Sequence, residues 1–168
     1  MPLNSARREE RFVSPLVVPL GQPRDQAALR AHFASLGSED LRHRFCRAIK
    51  PASVRAYLME AAAAHVASYG VYAATGDLAA ACQLAPQGVD LEVGLSVLPA
   101  FRRQGLAAAL LVRAMAHARE RGHPGLIIHS LADNTAMLCL ARRMGMTIQM
   151  LQGDADGRLS LRTEAREG

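Results

Sequence analysis

The sequence of 168 residues predicts an α/β fold built on a mixed sheet, and three observations predict it. Strand-like and helix-like segments follow one another in the order β-α-α-β-β-β-α-β-α-β-β. Turn signals join several neighbouring strands as hairpins, whereas Leu126–Leu131 (LIIHSL) is a short apolar run suited to a buried, parallel strand. Between Val89 and Arg121, a strand runs into a tight basic turn and then into a helix.

Met1 to Arg11 is polar and is expected to be flexible, at the start of a single domain spanning 1–168. Phe12–Leu20 (FVSPLVVPL) is apolar and β-branched, a first strand weakened by Pro15 and closed by Pro19. Asp25 is placed to cap a helix over Gln26–Leu36, in which Ala28, Leu29, His32, Phe33 and Leu36 share one stripe. Gly37 ends it, and Ser38 caps the next, with Leu41, Phe45 and Ile49 on one face. Pro51 opens a further helix to about Ala64, with Val54, Leu58 and Ala61 inward. These segments read as a double helical layer between the first two strands. Tyr69–Ala74 and Leu78–Leu84 flank Thr75-Gly76-Asp77, a hairpin signal, and Pro86-Gln87-Gly88 turns into the next strand.

In that strand Val89, Leu91, Val93, Leu95 and Val97 alternate with Asp90, Glu92, Gly94 and Ser96, and Pro99 ends it near Leu98. Arg102-Arg103-Gln104-Gly105-Leu106-Ala107 then opens a helix reaching about Arg121, with Leu106, Leu110, Ala114 and His117 on one stripe. The first N–H groups of a helix lack carbonyl partners and sit at the positive end of its dipole. Gly105 lets an anion approach that backbone, and Arg102 and Arg103 add charge, so the corner reads as a phosphate cradle. After Leu131, Asp133 or Asn134 caps a last helix ending at Gly145. Met146–Gln152 and Arg158–Arg162 bracket Gly153–Gly157 as a closing hairpin.

Arg102-x-x-Gly105-x-Ala107 resembles the (Gln/Arg)-x-x-Gly-x-(Gly/Ala) pyrophosphate loop of the GCN5-related N-acetyltransferase (GNAT) family. Val97-x-Pro99-x-x-Arg102 before it, and the Asn134-led helix through Arg142-Arg143-Met144-Gly145-Met146 after it, are similar to the same family. Asn134–Met146 and the stretch ALRAHFASLGSEDLRHRF look closest to the acetyltransferase domain of bacterial protein-lysine acetyltransferases. The resemblance implies the GNAT fold, a mixed, mostly antiparallel sheet flanked by helices. It also implies transfer of an acetyl group from acetyl-CoA to a primary amine, on a protein lysine or a small molecule, by direct attack in a ternary complex. Homodimers are common in such a family.

Carried onto this sequence, the resemblance gives the backbone of Gln104, Gly105, Leu106 and Ala107, with Arg102 and Arg103, the cofactor's diphosphate. Val97 and Leu98 would supply main-chain contacts to its pantetheine arm, and Asn134 would hydrogen-bond the arm or cap its helix. Glu92 is the first choice for the general base, a carboxylate whose pKa apolar walls would raise; a strand glutamate facing water is the plain alternative. His129 competes with it, although a lone histidine in an apolar strand is more often a satisfied rim residue. The family's usual leaving-group tyrosine falls on Ala141 here, which encourages a rival reading, a non-catalytic CoA-binding or sensory module. Cys139 reads as a buried apolar residue rather than a nucleophile.

Composition sets bounds. The formal net charge is +5, but Lys50 is the only lysine and the arginines are dispersed without interleaved aromatics, which disfavours nucleic acid as a partner. Cys46, Cys82 and Cys139 form no C-x-x-C pair, arguing against a structural metal or a disulfide frame and for a reducing compartment. No charge-free run is long enough to span a bilayer, so no membrane partner and a cytoplasmic location are expected.

Overall fold

The computed structural model describes residues 15–162. The expectations for Met1–Arg11 and for Phe12–Ser14 of the first strand lie outside them. The elements are β1 (Val18–Pro19), α1 (Pro23–Ala34), α2 (Ser38–Phe45), α3 (Pro51–Ala63), β2 (Ala67–Tyr72), β3 (Leu78–Gln87), β4 (Asp90–Val97), a 3-10 turn (Pro99–Phe101), α4 (Leu106–Glu120), β5 (Gly125–Leu131), α5 (Thr135–Arg143), β6 (Thr147–Leu151) and β7 (Asp154–Ser160). The sheet has seven strands in the order β1-β2-β3-β4-β5-β7-β6. Among the described residues only β4 and β5 run parallel, and the remaining pairs are antiparallel.

This is the expected mixed α/β sheet, with local differences. The three helical segments expected between β1 and β2 are three separate helices, one more than the order β-α-α-β counts, set apart by Gly37 and the left-handed Cys46 (φ 55°). Asp25 does not cap α1. Gln22 is the capping residue, Pro23 follows it, and Asp25 reaches back to accept the Gln22 N–H at 2.8 Å while Tyr72 donates to it at 2.7 Å. Strand β3 runs through Pro86 to Gln87. Pro86 lies beyond Leu84, the last β3 residue paired with β2, so its missing N–H breaks no ladder bond on that side. Val89 is an exposed turn residue rather than part of β4.

The largest difference is the closing hairpin. Its loop is only Gln152-Gly153, both with positive φ (35° and 95°), and β7 starts at Asp154 instead of Arg158. Two left-handed residues in a two-residue loop match the twist of the paired strands. The residues expected to form the loop, Gly153–Gly157, are therefore mostly strand.

The sheet buries both faces. On one, Leu91, Val93 and Leu95 of β4 pack with Leu126 and Ile128 of β5 under Leu106, Leu110, Leu111 and Ala114 of α4. On the other, Leu29 and Phe33 of α1, Leu41 of α2 and Val54 and Leu58 of α3 cover β3 through Leu78 and Ala81. Burying one such leucine or phenylalanine is worth about 1.5–3 kcal/mol, so the two layers hold the sheet's strands in fixed register. Among the described residues no helix is long and apolar enough to cross a membrane.

Candidate active site

Strands β4 and β5 pair at Leu91 with Leu126 and at Glu92 with Ile127, then part. The opening between them is a cleft of about 660 Å³ bordered by Val93–Val97, Ile128 and His129, with α2 on one wall and the starts of α4 and α5 on the other. Leu98 donates its N–H to the Ala79 carbonyl of β3 at 2.9 Å. Successive residues of an antiparallel strand point their N–H groups to opposite sides, so those of Val97 and Leu95 face the cleft.

At the mouth of this cleft α4 begins at Leu106, four residues later than the sequence suggests. Arg103 (φ 61°) and Gly105 (φ 76°) are both left-handed, and alternating handedness turns successive N–H groups toward one concavity. The Gly105 carbonyl receives the first helical bond, from Ala109, so the N–H groups of Leu106, Ala107 and Ala108 have no helical partner. A Cβ placed on Gly105 would meet nothing within 4 Å; the space above it is open.

The cleft thus brings together Val97, Arg102, Arg103, Gly105, Leu106, Ala107, His129 and Asn134, while Glu92, Leu98 and Gln104 lie outside its lining. Leu98 has its N–H on Ala79 and its carbonyl on the Phe101 N–H, and its side chain packs among the α1–α3 core. Arg102 is turned toward α2: its guanidinium donates to Asp40 at 2.6 Å and to the Val97 carbonyl at 3.2 Å. Asn134 caps α5 by accepting the Met137 N–H at 3.3 Å. Asp133 is held instead by Arg42 (2.5 Å) and His43 (3.1 Å), and the Arg42 guanidinium keeps its carboxyl below the usual carboxylate range. Glu92 is half-buried where the strands part. Both ring nitrogens of His129 are engaged, by Asp156 at 2.7 Å and Gln87 at 3.0 Å. Ala141 is buried in the core, and Cys139, expected inside, is exposed on α5.

The model of the acetyltransferase (GNAT) family matches residues 33–146. The chain belongs to the GNAT family. Sequence comparison with curated proteins returns no match. The GNAT domain of S. lividans PAT superposes with a TM-score of 0.72 at 20% identity, covering 86% of this chain and 89% of that one. The yncA protein of Salmonella typhimurium, solved with its cofactor acetyl-CoA, gives 0.67 at 17% identity, with 91% and 98% covered. The ribosomal-protein-S18-alanine N-acetyltransferase of Escherichia coli gives 0.64 at 17%, with 90% and 98% covered.

This GNAT chain also carries two arrangements that sequence reasoning missed. Arg44 of α2 projects onto β4, where its guanidinium donates to the Tyr57 hydroxyl at 2.9 Å and to the buried Gln83 at 2.7 Å. Phe33, Phe45 and Tyr57 surround it, the nearest ring centroid being 4.9 Å from Cζ. The second is buried His32, whose Nδ1 lies 2.7 Å from the Leu78 carbonyl and whose Nε2 lies 2.8 Å from the Ser96 hydroxyl in the cleft wall. A carbonyl only accepts, so Nδ1 carries the proton; burial pushes the imidazole pKa down and keeps it neutral. Nε2 therefore accepts the Ser96 proton, and Ser96 Oγ is left with lone pairs for whatever enters the cleft. In the sequence, Arg44 stands among Arg42, His43 and Arg47 with nothing to mark it.

Proposed function

We propose that this GNAT chain transfers an acetyl group from acetyl-CoA to a primary amine within a ternary complex. The observation that carries the reading is the unpartnered amide cradle at the start of α4, opening onto a cleft between two parting strands. Acetyl-CoA supplies an activated acyl carbon, and the chain's residues have three tasks.

The N–H groups from Gln104 to Ala107, with Arg103, hold the diphosphate, and the open space over Gly105 fits a phosphate oxygen. Arg102 acts at one remove, tying the loop to Asp40 and to Val97. The Val97 N–H faces the cleft and polarises the thioester carbonyl, and the Asn134 side-chain amide steadies the arm. Glu92, five residues before Val97 on an unbroken strand and so about 17 Å back along it, takes the proton through a chain of water molecules as the amine nitrogen bonds to the acyl carbon and the carbon–sulfur bond breaks. His129, with both nitrogens occupied, fits a rim role better than a base. The acceptor is a protein lysine or a small-molecule amine, and the site needs no metal.

A second reading, a CoA-binding module without turnover, is favoured by one observation: Ala141 occupies the tyrosine position, and no tyrosine borders the cleft among the described residues. Thiol release from acetyl-CoA in a mixed amine library separates the two. Release dependent on an added amine is expected; CoA uptake without release would leave the binding module.

A further inference from the structure

The acidic side chains bordering the cleft are already engaged: Glu39 with Arg42, Asp40 with Arg102, and Asp133 with Arg42 and His43. Arg103 belongs to the cradle, where the diphosphate reading needs cations, and Arg143 borders the cleft as an exposed residue at the end of α5. Arg44 is different. It borders the same cleft at Gly94, and no carboxylate of the described residues comes within 4.0 Å of it. Only its Nη2 has partners; its Nε is buried without an acceptor, and Nη1 meets none among the described residues. A half-buried guanidinium among three aromatic rings, with its Nε left without an acceptor, is completed by an anion. Tyr57 and Gln83 nevertheless fix it in place, and Gly94 makes room for it, since a Cβ there would stand 2.3 Å from Cζ. The scaffold holds a cation ready with no carboxylate of the described residues within 4.0 Å, the nearest acidic residue on its strand face being Glu92, two residues before Gly94.

Two residues along the same face of β4 is Ser96, about 7 Å away along the strand. With its proton committed to His32, its oxygen receives N–H donors. One end of this wall therefore wants a carboxylate and the other an amine.

We propose that Arg44 is the anchor for a carboxylate on the acceptor, with Ser96 receiving the amine, so that the acetyl acceptor belongs to the amino-acid class: a small molecule carrying both groups. This rests on the acetyl-transfer reading above and narrows its acceptor. A lysine side chain within a protein, or a polyamine, offers no carboxylate at that distance and leaves Arg44 unpaired.

The test is thiol release from acetyl-CoA with the L-amino acids, the same compounds as carboxamides, spermidine and a lysine-containing peptide amide. For wild type, at least one free amino acid is expected to exceed its carboxamide by about 10- to 100-fold in kcat/KM, the range for a hydrogen bond to a charged group. Arg44→Met is expected to erase that ratio while leaving CoA affinity, read by calorimetry, within about twofold, and Arg44→Lys to restore part of it. Turnover of carboxamides, spermidine or the peptide at rates equal to or above the free amino acids would overturn the inference and leave acetyl transfer standing. No thiol release with any amine, despite CoA uptake, would overturn acetyl transfer and this inference with it. A ratio that survives in Arg44→Met would show that another group reads the carboxylate.

Discussion

The guanidinium of Arg44 fills the space over Gly94 of β4, so that a β-carbon on that glycine would stand 2.3 Å from Cζ and 2.5 Å from Nη1. A helix residue and a strand residue fifty positions apart thus share one volume in the wall of the cleft. Gly94→Ala is expected to drive the guanidinium off Tyr57 and Gln83. Because the clash falls on the end of a long side chain, the cost in urea melts should stay near 1 kcal/mol, the low end for overpacking. The acceptor KM should rise about tenfold or more, with CoA affinity unchanged. Wild-type acceptor kinetics in this variant would show that Arg44's position has no bearing on acceptor binding.

Glu92 stands at the last paired position before β4 and β5 separate. Glu92→Gln keeps shape and removes the basic oxygen. It is expected to lower kcat by about 10²–10⁴-fold, the usual contribution of a general base, and to leave CoA affinity within twofold. Steady-state kinetics beside calorimetry measure both. Unchanged turnover would remove Glu92 from the proton path.

Burial holds the His32 pKa below its ordinary 6.5. The unfolded chain therefore binds a proton at a pH where the native one does not, and stability must fall as pH drops below about 6.5. Above that value the group contributes no slope. In urea melts at pH 7.5 and 5.5, wild type is expected to lose stability at the lower pH and His32→Gln to lose less. Equal losses in both proteins would place the acid sensitivity elsewhere.

Much of this was legible in the sequence, and the reasons differ by element. The apolar alternation of β4, the Thr75-Gly76-Asp77 hairpin and the Arg102–Ala107 corner are local patterns, each set by neighbours in sequence. The β6–β7 hairpin was not legible. Asp154, Asp156 and Gly157 disfavour strands by propensity, yet Asp156 is held by His129 and Gly157 fits against Ile148 and Met146. The pairing of Arg44 with Gly94, and of His32 with Ser96, depends on helices folding back over the sheet. No spacing in the chain encodes such contacts.

The same hairpin gives a stability test. Gln152 carries φ of 35° in a two-residue loop, a conformation that costs a residue with a Cβ about 1 kcal/mol or more. Gln152→Gly is expected to raise stability by up to about 1 kcal/mol, and Gly153→Ala, at φ 95°, to lower it by a similar amount or more. Thermal or urea melts read both. A destabilised Gln152→Gly would mean that the glutamine makes a compensating contact.

The most direct test of the account is calorimetric titration of CoA into wild type and Gly105→Ala. The substitution sets a methyl group in the open space over the cradle and strains a left-handed residue. One CoA per chain is expected for wild type, and binding at least about tenfold weaker, 1.4 kcal/mol, for a variant that remains folded. No uptake of CoA by wild type, or equal affinity in the two proteins, would contradict the claim that the start of α4 grips the diphosphate.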